Sequence, residues 1–332
     1  MKTLLFILVF IQLEAVVASL LEPPQRLYKD YDPRLRWVEF YGTQQNIDLL
    51  FLGSSHAYRS FDPRTFDSEL SLNSFNLGNS NQNPIDSYFV LKEALRVSKP
   101  RMVVLEVFWV LFETNDNKER DFESACLVLD NIGPSLNKLS LIGNCFTLEQ
   151  MPKAIFLSIR YHNNIMKPSI LKENFEGRWL GTHPLGDKTF AENQSYEGKG
   201  YVATNRVATN TDLKEENYFL TYSEPKWSSA RFRSFEKCLE LCQESGIKVI
   251  MVTAPLPPDT MGLIKDYENI HNKFNQLAIK YNVKYVDYNE INKTLNLFNN
   301  NYFSDEHHLN SQGVQIMNRH LIRIIDSELN DN

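Results

Sequence analysis

Two stretches at opposite ends of the chain carry residue types that could together make an activated nucleophile. Near the start, Asp48-Leu49-Leu50-Phe51-Leu52-Gly53-Ser54-Ser55-His56 ends an apolar run in a glycine, two hydroxyls and an imidazole. Near the end, Phe303-Ser304-Asp305-Glu306-His307-His308-Leu309-Asn310-Ser311-Gln312-Gly313 sets an acid three residues before a histidine. A serine hydroxyl is a weak nucleophile until an adjacent base takes its proton. Imidazole is such a base, and a carboxylate on its other nitrogen fixes the tautomer and orientation. Asp305 and His308 supply orienter and base, and the Ser54-Ser55 pair supplies the hydroxyl. The bland alternatives are a turn serine and an N-capping aspartate. They lose ground because each block occurs independently of the other.

These residues need elements that bring them together. Leu49 to Leu52 is a continuous apolar run that reads as a buried parallel strand, about 48–53. Asp62-Pro63 is an N-cap followed by proline at the first helical position, opening a short helix through Leu70. Ser74 to Gly78 reads as a second strand, Asp86 to Val97 as a helix, and Met102 to Val107 as a third strand. Regularity then stops from about 112 to 225, a length that suits a substrate-binding cap or a small subdomain. It returns with a helix from Ser228 to Gly246, a fourth strand from Lys248 to Thr253 and a helix over roughly 263–281. A fifth strand, Val283 to Val286, and an amphipathic helix, Val314 to Ser327, complete the chain.

Strands alternating with helices, the strands apolar throughout, predict a flavodoxin-like α/β sandwich. It has three layers, a five-stranded parallel sheet and a long insertion after strand three. In such a sheet ligands gather at the carboxyl ends of the strands. Ser55, Gly78 with Asn79, Phe108-Trp109, Pro255 and the segment after Asp287 therefore belong to one edge. Glu106, at the end of strand three, reads equally as a functional acid and as a hydrogen-bonding group.

The chain has 332 residues, 42 % hydrophobic and 23 % charged, which is ordinary globular composition. A net charge of -6 with no basic stripe argues against a nucleic-acid partner. Lys2 precedes the apolar run Leu4 to Ile11, and Val16-Val17-Ala18 offers small residues before Ser19. Residues 1–20 thus read first as a cleaved signal peptide and second as an uncleaved anchor, leaving 21–332 as the domain. Either predicts a periplasmic or extracellular location. For an exported chain with four cysteines, Cys126 and Cys145 could be bridged, whereas Cys238 and Cys242 fit two buried side chains on one helix face. Asn193-Gln-Ser195 and Asn292-Lys-Thr294 match glycosylation sequons.

Taken together, the Gly53-Ser54-Ser55-His56 turn, Gly78 after strand two, and Asp305-x-x-His308-Leu309-Asn310-x-x-Gly313 resemble the SGNH/GDSL hydrolase superfamily. The resemblance covers about 47–107 and 228–327 and implies catalytic Ser55, Asp305 and His308. It also implies oxyanion donors at the Ser55 and Gly78 backbone N–H groups. The asparagine that the superfamily places after strand three has no counterpart here, where Glu106-Val107-Phe108-Trp109 stands; Asn79 or Asn76 are the substitutes at hand. This departure and the leader resemble a branch of exported polysaccharide O-acetyltransferases and D-alanyl transfer proteins. That branch implies acyl transfer on a cell-envelope glycan, with a membrane-bound O-acyltransferase as partner and no cofactor. A secreted glycan esterase and a non-catalytic glycan-binding scaffold are the rivals.

Further substrate contacts are expected from His56, Trp109, Arg160, His162 and Tyr201, through stacking and hydrogen bonding. The structural reading of the same loops is at least as strong. His56, His307 and Asp305 also have the residue types for a metal site, but no metal is expected.

Overall fold

The computed structural model describes residues 2–23, 33–43, 45–114, 118–179, 194–222 and 224–330. Helix α1 (Lys2–Leu21) precedes α2 (Pro33–Gly42), β1 (Leu49–Leu52), α3 (Ser55–Ser60), α4 (Pro63–Leu70) and β2 (Ser74–Asn76). Then come α5 (Pro84–Val97), β3 (Met102–Glu106) and a short 3₁₀ turn, Trp109–Phe112. The expected stretch without strand-helix alternation contains short helices: α6 (Lys118–Leu129), α7 (Leu136–Cys145), α8 (Met151–Ile155), α9 (Leu157–Arg160) and α10 (Pro168–Asn174). A hairpin follows, β4 (Gln194–Gly198) with β5 (Tyr201–Thr204). The regular fold resumes with α11 (Ser229–Glu244), β6 (Lys248–Thr253), α12 (Pro258–Met261), α13 (Tyr267–Tyr281), β7 (Lys284–Asp287), α14 (Tyr288–Leu295) and α15 (Ser311–Asn330).

The main sheet has five strands in the order β2-β1-β3-β6-β7, all parallel. Numbered within the sheet this is 2-1-3-4-5, the flavodoxin-like doubly wound order. Side chains alternate between two cores, as a period of two demands. Leu50, Leu52, Val103, Leu105, Val249 and Met251 face the core built with α5, α11 and α13. Leu49, Phe51, Met102, Val104, Ile250 and Val252 face the core under α4 and α15. Strands buried on both faces explain why the sequence shows continuous apolar runs rather than alternation.

Boundaries differ modestly from expectation. The second strand ends at Asn76, although Leu77 N and Asn79 N still donate to Phe51 O and Gly53 O and carry the contact with β1 past Gly78. The helix expected over 263–281 is α13, which starts only at Tyr267 because Asp266 takes a left-handed conformation (φ 52°) before it. All four cysteines are free thiols, so the suggested Cys126–Cys145 bridge is not present. Cys238 and Cys242 lie buried on α11, as their spacing indicated. Asn193 of the first sequon lies outside the described residues.

Candidate active site

The sheet order reverses between β1 and β3, and the crevice at that switch point is where an open α/β sheet collects its ligands. Gly53 ends β1 there with φ +149°, and a Cβ on it would fall 2.5 Å from Glu106 Cβ and Oε2. Only glycine permits both the backbone conformation and that approach.

The next residue, Ser54, is fully committed. Its Oγ accepts from His56 N at 3.1 Å, making it the N-cap of α3, and donates to Glu106 Oε2 at 2.8 Å. Its backbone N–H donates to the same Glu106 oxygen at 2.8 Å. Buried and held by these bonds, the Ser54 hydroxyl is closed to a substrate. Ser55, the first residue of α3, carries the free end of the pair: its Oγ lies 2.8 Å from His308 Nε2.

The rest of the line comes from the loop between α14 and α15. His308 Nδ1 faces the Asp305 carboxylate at 2.9 and 3.1 Å. Asp305 Oδ1 also accepts the backbone N–H groups of His307 and His308 at 3.0 and 2.7 Å, so the turn that places His308 is closed by the acid that orients it. Asn310 Oδ1 then accepts from Gln312 and Gly313 N and starts α15, while its Nδ2 ties back to Asn301 and Phe303 carbonyls. A Cβ on Gly313 would stand 2.4 Å from Tyr302 O. Each residue type in the Asp305-to-Gly313 block thus has a distinct mechanical task. Arg206, held by Asp212, braces the loop from outside by donating to the Ser304 carbonyl.

Burial sets the protonation states. Desolvation lowers His308 to about 4 against the attraction of Asp305, so the imidazole is neutral near pH 7 and can accept a proton. Burial pushes the Asp305 carboxyl up, but the charge and hydrogen bond of His308, with His307, more than offset it and leave it well below the usual range. Burial also raises Glu106 to about 7, with the two Ser54 bonds opposing. Among the described residues, Glu106 Oε1 and Gln82 Oε1 are buried acceptors without a partner. Both residues line a small cleft with Gly53, Pro84, Ser87 and Phe108, behind the triad and not including it. A proton on Glu106 turns one of these two acceptors into a donor.

Beside the triad lies a stack of rings. His56 is buried under Phe108 (centroids 4.0 Å apart), and its Nε2 meets His307 Nδ1 at 3.3 Å. Burial, then the neighbouring His307, holds His56 well below an ordinary histidine. His56, His307 and His308 each offer a nitrogen within 4.8 Å of the others, so a divalent metal could be held there. Both His308 nitrogens are already engaged, with Asp305 and Ser55, and a metal would displace one of them.

Several expected site residues are elsewhere. The Gly78 N–H donates to Asn76 Oδ1 at 3.0 Å, so the oxyanion donor expected at Gly78 is already engaged. Asn76 is engaged in turn: its Nδ2 donates to Ala57 and Phe61 carbonyls. Asn79 is the better placed amide, because its N–H binds Gly53 O, its Oδ1 accepts from Ser80 N, and its Nδ2 makes no bond among the described residues. Trp109 is buried with its Nε1 donating to Tyr222 OH at 3.1 Å. Tyr201 is buried in the core under α4 and α15. Arg160 makes a two-pronged bond to Asp130 and caps carbonyls of Lys153 and Ala154. His162 Nδ1 binds Ile159 O in the same outlying helices. None of these four reaches the triad; they were read from side-chain type, which does not report burial. The Ser54–Glu106 bond and the His56–His307 pair had no sequence signal beyond their positions at strand ends.

Switch-point serine, neutral histidine and Asp305-x-x-His308 loop now stand on one doubly wound sheet. The all-parallel order 2-1-3-4-5 is the flavodoxin-like arrangement that the resemblance to the SGNH/GDSL superfamily implied. A protein-family model matches residues 186–330, less than half of the chain. No curated protein matches. Among solved structures, a Bacteroides fragilis protein described as an acylhydrolase aligns at 13 % identity, covering 91 % of this chain and all of its own, with a TM-score of 0.43. A GDSL-like lipase from Bacteroides thetaiotaomicron aligns at 11 % identity over 90 % of this chain and 98 % of its own, also with a TM-score of 0.43.

Proposed function

We propose that the protein is a serine-dependent acyl-handling enzyme that moves an acyl group, O-acetyl foremost, to or from a hydroxyl of an extracellular or cell-envelope polysaccharide. The observation that carries the chemistry is the continuous line Ser55 Oγ–His308–Asp305, at 2.8 and 2.9 Å. The polysaccharide and a membrane-bound O-acyltransferase as acyl donor rest on the sequence resemblance and on the apolar leader.

In this reading His308 Nε2 takes the Ser55 proton as Oγ attacks the ester carbonyl. Asp305 stabilises the imidazolium that forms. The oxyanion meets the Ser55 N–H, one of the first-turn amides of α3 that has no intrahelical acceptor, and the Asn79 side-chain amide. Collapse expels the alkoxide, which His308 protonates, leaving an acyl ester on Ser55. An acceptor hydroxyl then gives its proton to His308 and attacks that ester, and the released Ser55 oxygen recovers the proton. Water in place of the acceptor makes the same machinery an esterase.

A fluorophosphonate probe followed by peptide mapping tests the first half. Label on the peptide containing Ser55, abolished in Ser55→Ala and retained in Ser54→Ala, is the expected result; label elsewhere or none overturns the reading. Acetate release from an acetylated glycan without an acceptor would assign the hydrolytic rather than the transfer reaction.

A further inference from the structure

Helix α1 is long and apolar enough to cross a membrane, with a mean hydropathy of 2.5 over its best window. Its two ends are in different surroundings. The amino-terminal part, including Leu4, Leu5 and Phe6, is exposed, whereas Ala18 and Leu21 are buried against the domain. The helices of the insertion hold the carboxyl-terminal part. Phe10 packs edge-on against Phe156 at 5.8 Å. The Glu14 carboxylate accepts from Ser158 N at 3.1 Å. Asn164 Nδ2 donates to Leu21 O at 2.9 Å, and Asn174 Nδ2 donates to Leu20 O and Glu22 O at 2.8 and 2.7 Å. Both asparagines are buried.

These bonds satisfy carbonyls that a helix leaves orphaned in its last turn. Cleavage before Ser19 would remove Phe10, Glu14 and Ala18. It would leave Leu20 to Glu22 as a loose chain end, without the helix that presents those carbonyls to two buried amides. A buried amide deprived of its acceptor is costly. The clasp therefore fits an anchor that stays on the mature protein.

The geometry then constrains where the domain sits. Only residues 2–9 project free of the domain before the Phe10 contact, about 12 Å of helix at 1.5 Å per residue. A hydrocarbon core is about 30 Å thick. Clasped in this way, α1 enters the bilayer without spanning it, and it does so only when the elements around Phe156 and Ser158 are drawn down to the interface. Those elements are surfaced for it. Ile165 and Met166, in the 3₁₀ turn His162–Met166, are 62 % and 82 % exposed, and Ile155, Ile159 and Phe175 are exposed beside them in sequence. Residues 151–179 carry five basic and two acidic side chains in a chain of net charge -6. Lys153, Lys167 and Lys172 are exposed there. An apolar surface with lysines whose stems can snorkel is what an anionic membrane interface accommodates.

We infer that α1 is a retained anchor and that the surface formed by α8 to α10 seats in the headgroup region of an anionic bilayer, holding the catalytic domain against the membrane. This stands independently of the chemistry assigned to Ser55.

The test uses the full chain in vesicles of phosphatidylglycerol and phosphatidylcholine containing doxyl-labelled lipid. In a Cys145→Ser background, where the remaining native thiols are buried, a fluorophore is placed by Met166→Cys or by Gln315→Cys. Position 315 lies on α15, on the sheet face opposite α5. The doxyl lipid should quench the label at 166 several-fold more than the label at 315, and the intact mass should include residues before Ser19. Equal quenching at the two positions overturns the seated surface. Shielding of position 166 from both doxyl lipid and aqueous iodide overturns it in favour of a protein partner, and a mature chain beginning at Ser19 overturns the retained anchor.

Discussion

Two Asp–His pairs lie at the carboxyl edge of the same sheet, and only one of them faces a serine hydroxyl. In the first, Asp305 meets His308 Nδ1 at 2.9 Å, and in the second Asp287, the last residue of β7, meets His271 Nδ1 at 2.8 Å. The short contact is therefore uninformative by itself. The Asp287 carboxylate also accepts both from Tyr267 OH, at 3.0 and 2.9 Å, and from Asn289 N at 3.0 Å, where it caps α14. It is a structural hub. His271 remains partly exposed on α13, and its bond to Asp287 raises its pKa against a smaller desolvation effect. His308 is buried deeply enough for desolvation to dominate and bring it to about 4. Its second nitrogen meets the Ser55 hydroxyl. An Asp–His pair becomes a base when burial keeps the ring neutral and a hydroxyl occupies its far side.

The largest contrast is expected from removing each pair in turn. Asp305→Asn should lower kcat by about 10⁴-fold through the wrong imidazole tautomer, and His308→Ala by at least as much. His271→Ala and Asp287→Asn should leave kcat/KM per folded molecule unchanged, while Asp287→Asn costs about 1–3 kcal/mol of stability by disrupting the buried hub. Ester hydrolysis alongside urea unfolding reads both quantities. A similar loss of activity from the Asp287 and Asp305 variants would break the distinction.

The next contrast is in pH dependence. Since His308 must be neutral to act and sits at about 4, the acid limb of kcat/KM should have its midpoint near 4 rather than at the ordinary histidine value. The two histidines also act oppositely on stability. His308, lowered in the fold, contributes stability that is present above its unfolded value and lost as pH falls through about 4. His271, raised in the fold, contributes stability that is full below its unfolded value and lost as pH rises through its raised value. His271→Ala should remove only the second decline, seen in melting temperature between pH 5 and 9. An acid limb near about 6.5, the unperturbed value, would show His308 to be far more solvated than its burial implies.

The smallest effect concerns Glu106, which burial raises from the ordinary carboxylate range to about 7. A carboxyl raised in this way contributes stability that is full below its unfolded pKa and lost as pH rises through about 7. Glu106→Gln keeps an acceptor for Ser54 and cannot ionise, so it should flatten stability between pH 4.5 and 7 and lower activity only modestly. An unchanged pH–stability curve would mean that Glu106 ionises in the fold at little cost.

Much of the fold was legible because its strands are buried on both faces and therefore apolar throughout. The Asp305-to-Gly313 block was legible for a related reason. Its acid, base, capping asparagine and close-packed glycine all lie within one loop, where spacing along the chain is also spacing in space. The contacts expected from Trp109, Arg160, His162 and Tyr201 failed because aromatic and cationic side chains serve cores and helix clasps as readily as ligand surfaces. Gly78 failed for a local reason: the adjacent Asn76 side chain folds back onto its N–H.

The sequence by itself determined the succession of strands and helices, the two blocks and the apolar leader, since each is written in residues near one another along the chain. Only the tertiary structure showed what separates Ser54 from Ser55, because Glu106 reaches Ser54 from a strand 52 residues away. The same holds for the clasp on α1, made by side chains more than 140 residues downstream. Long-range hydrogen bonds leave no periodicity, and burial, which sets whether a histidine is a base or a prop, is a property of the assembled layers.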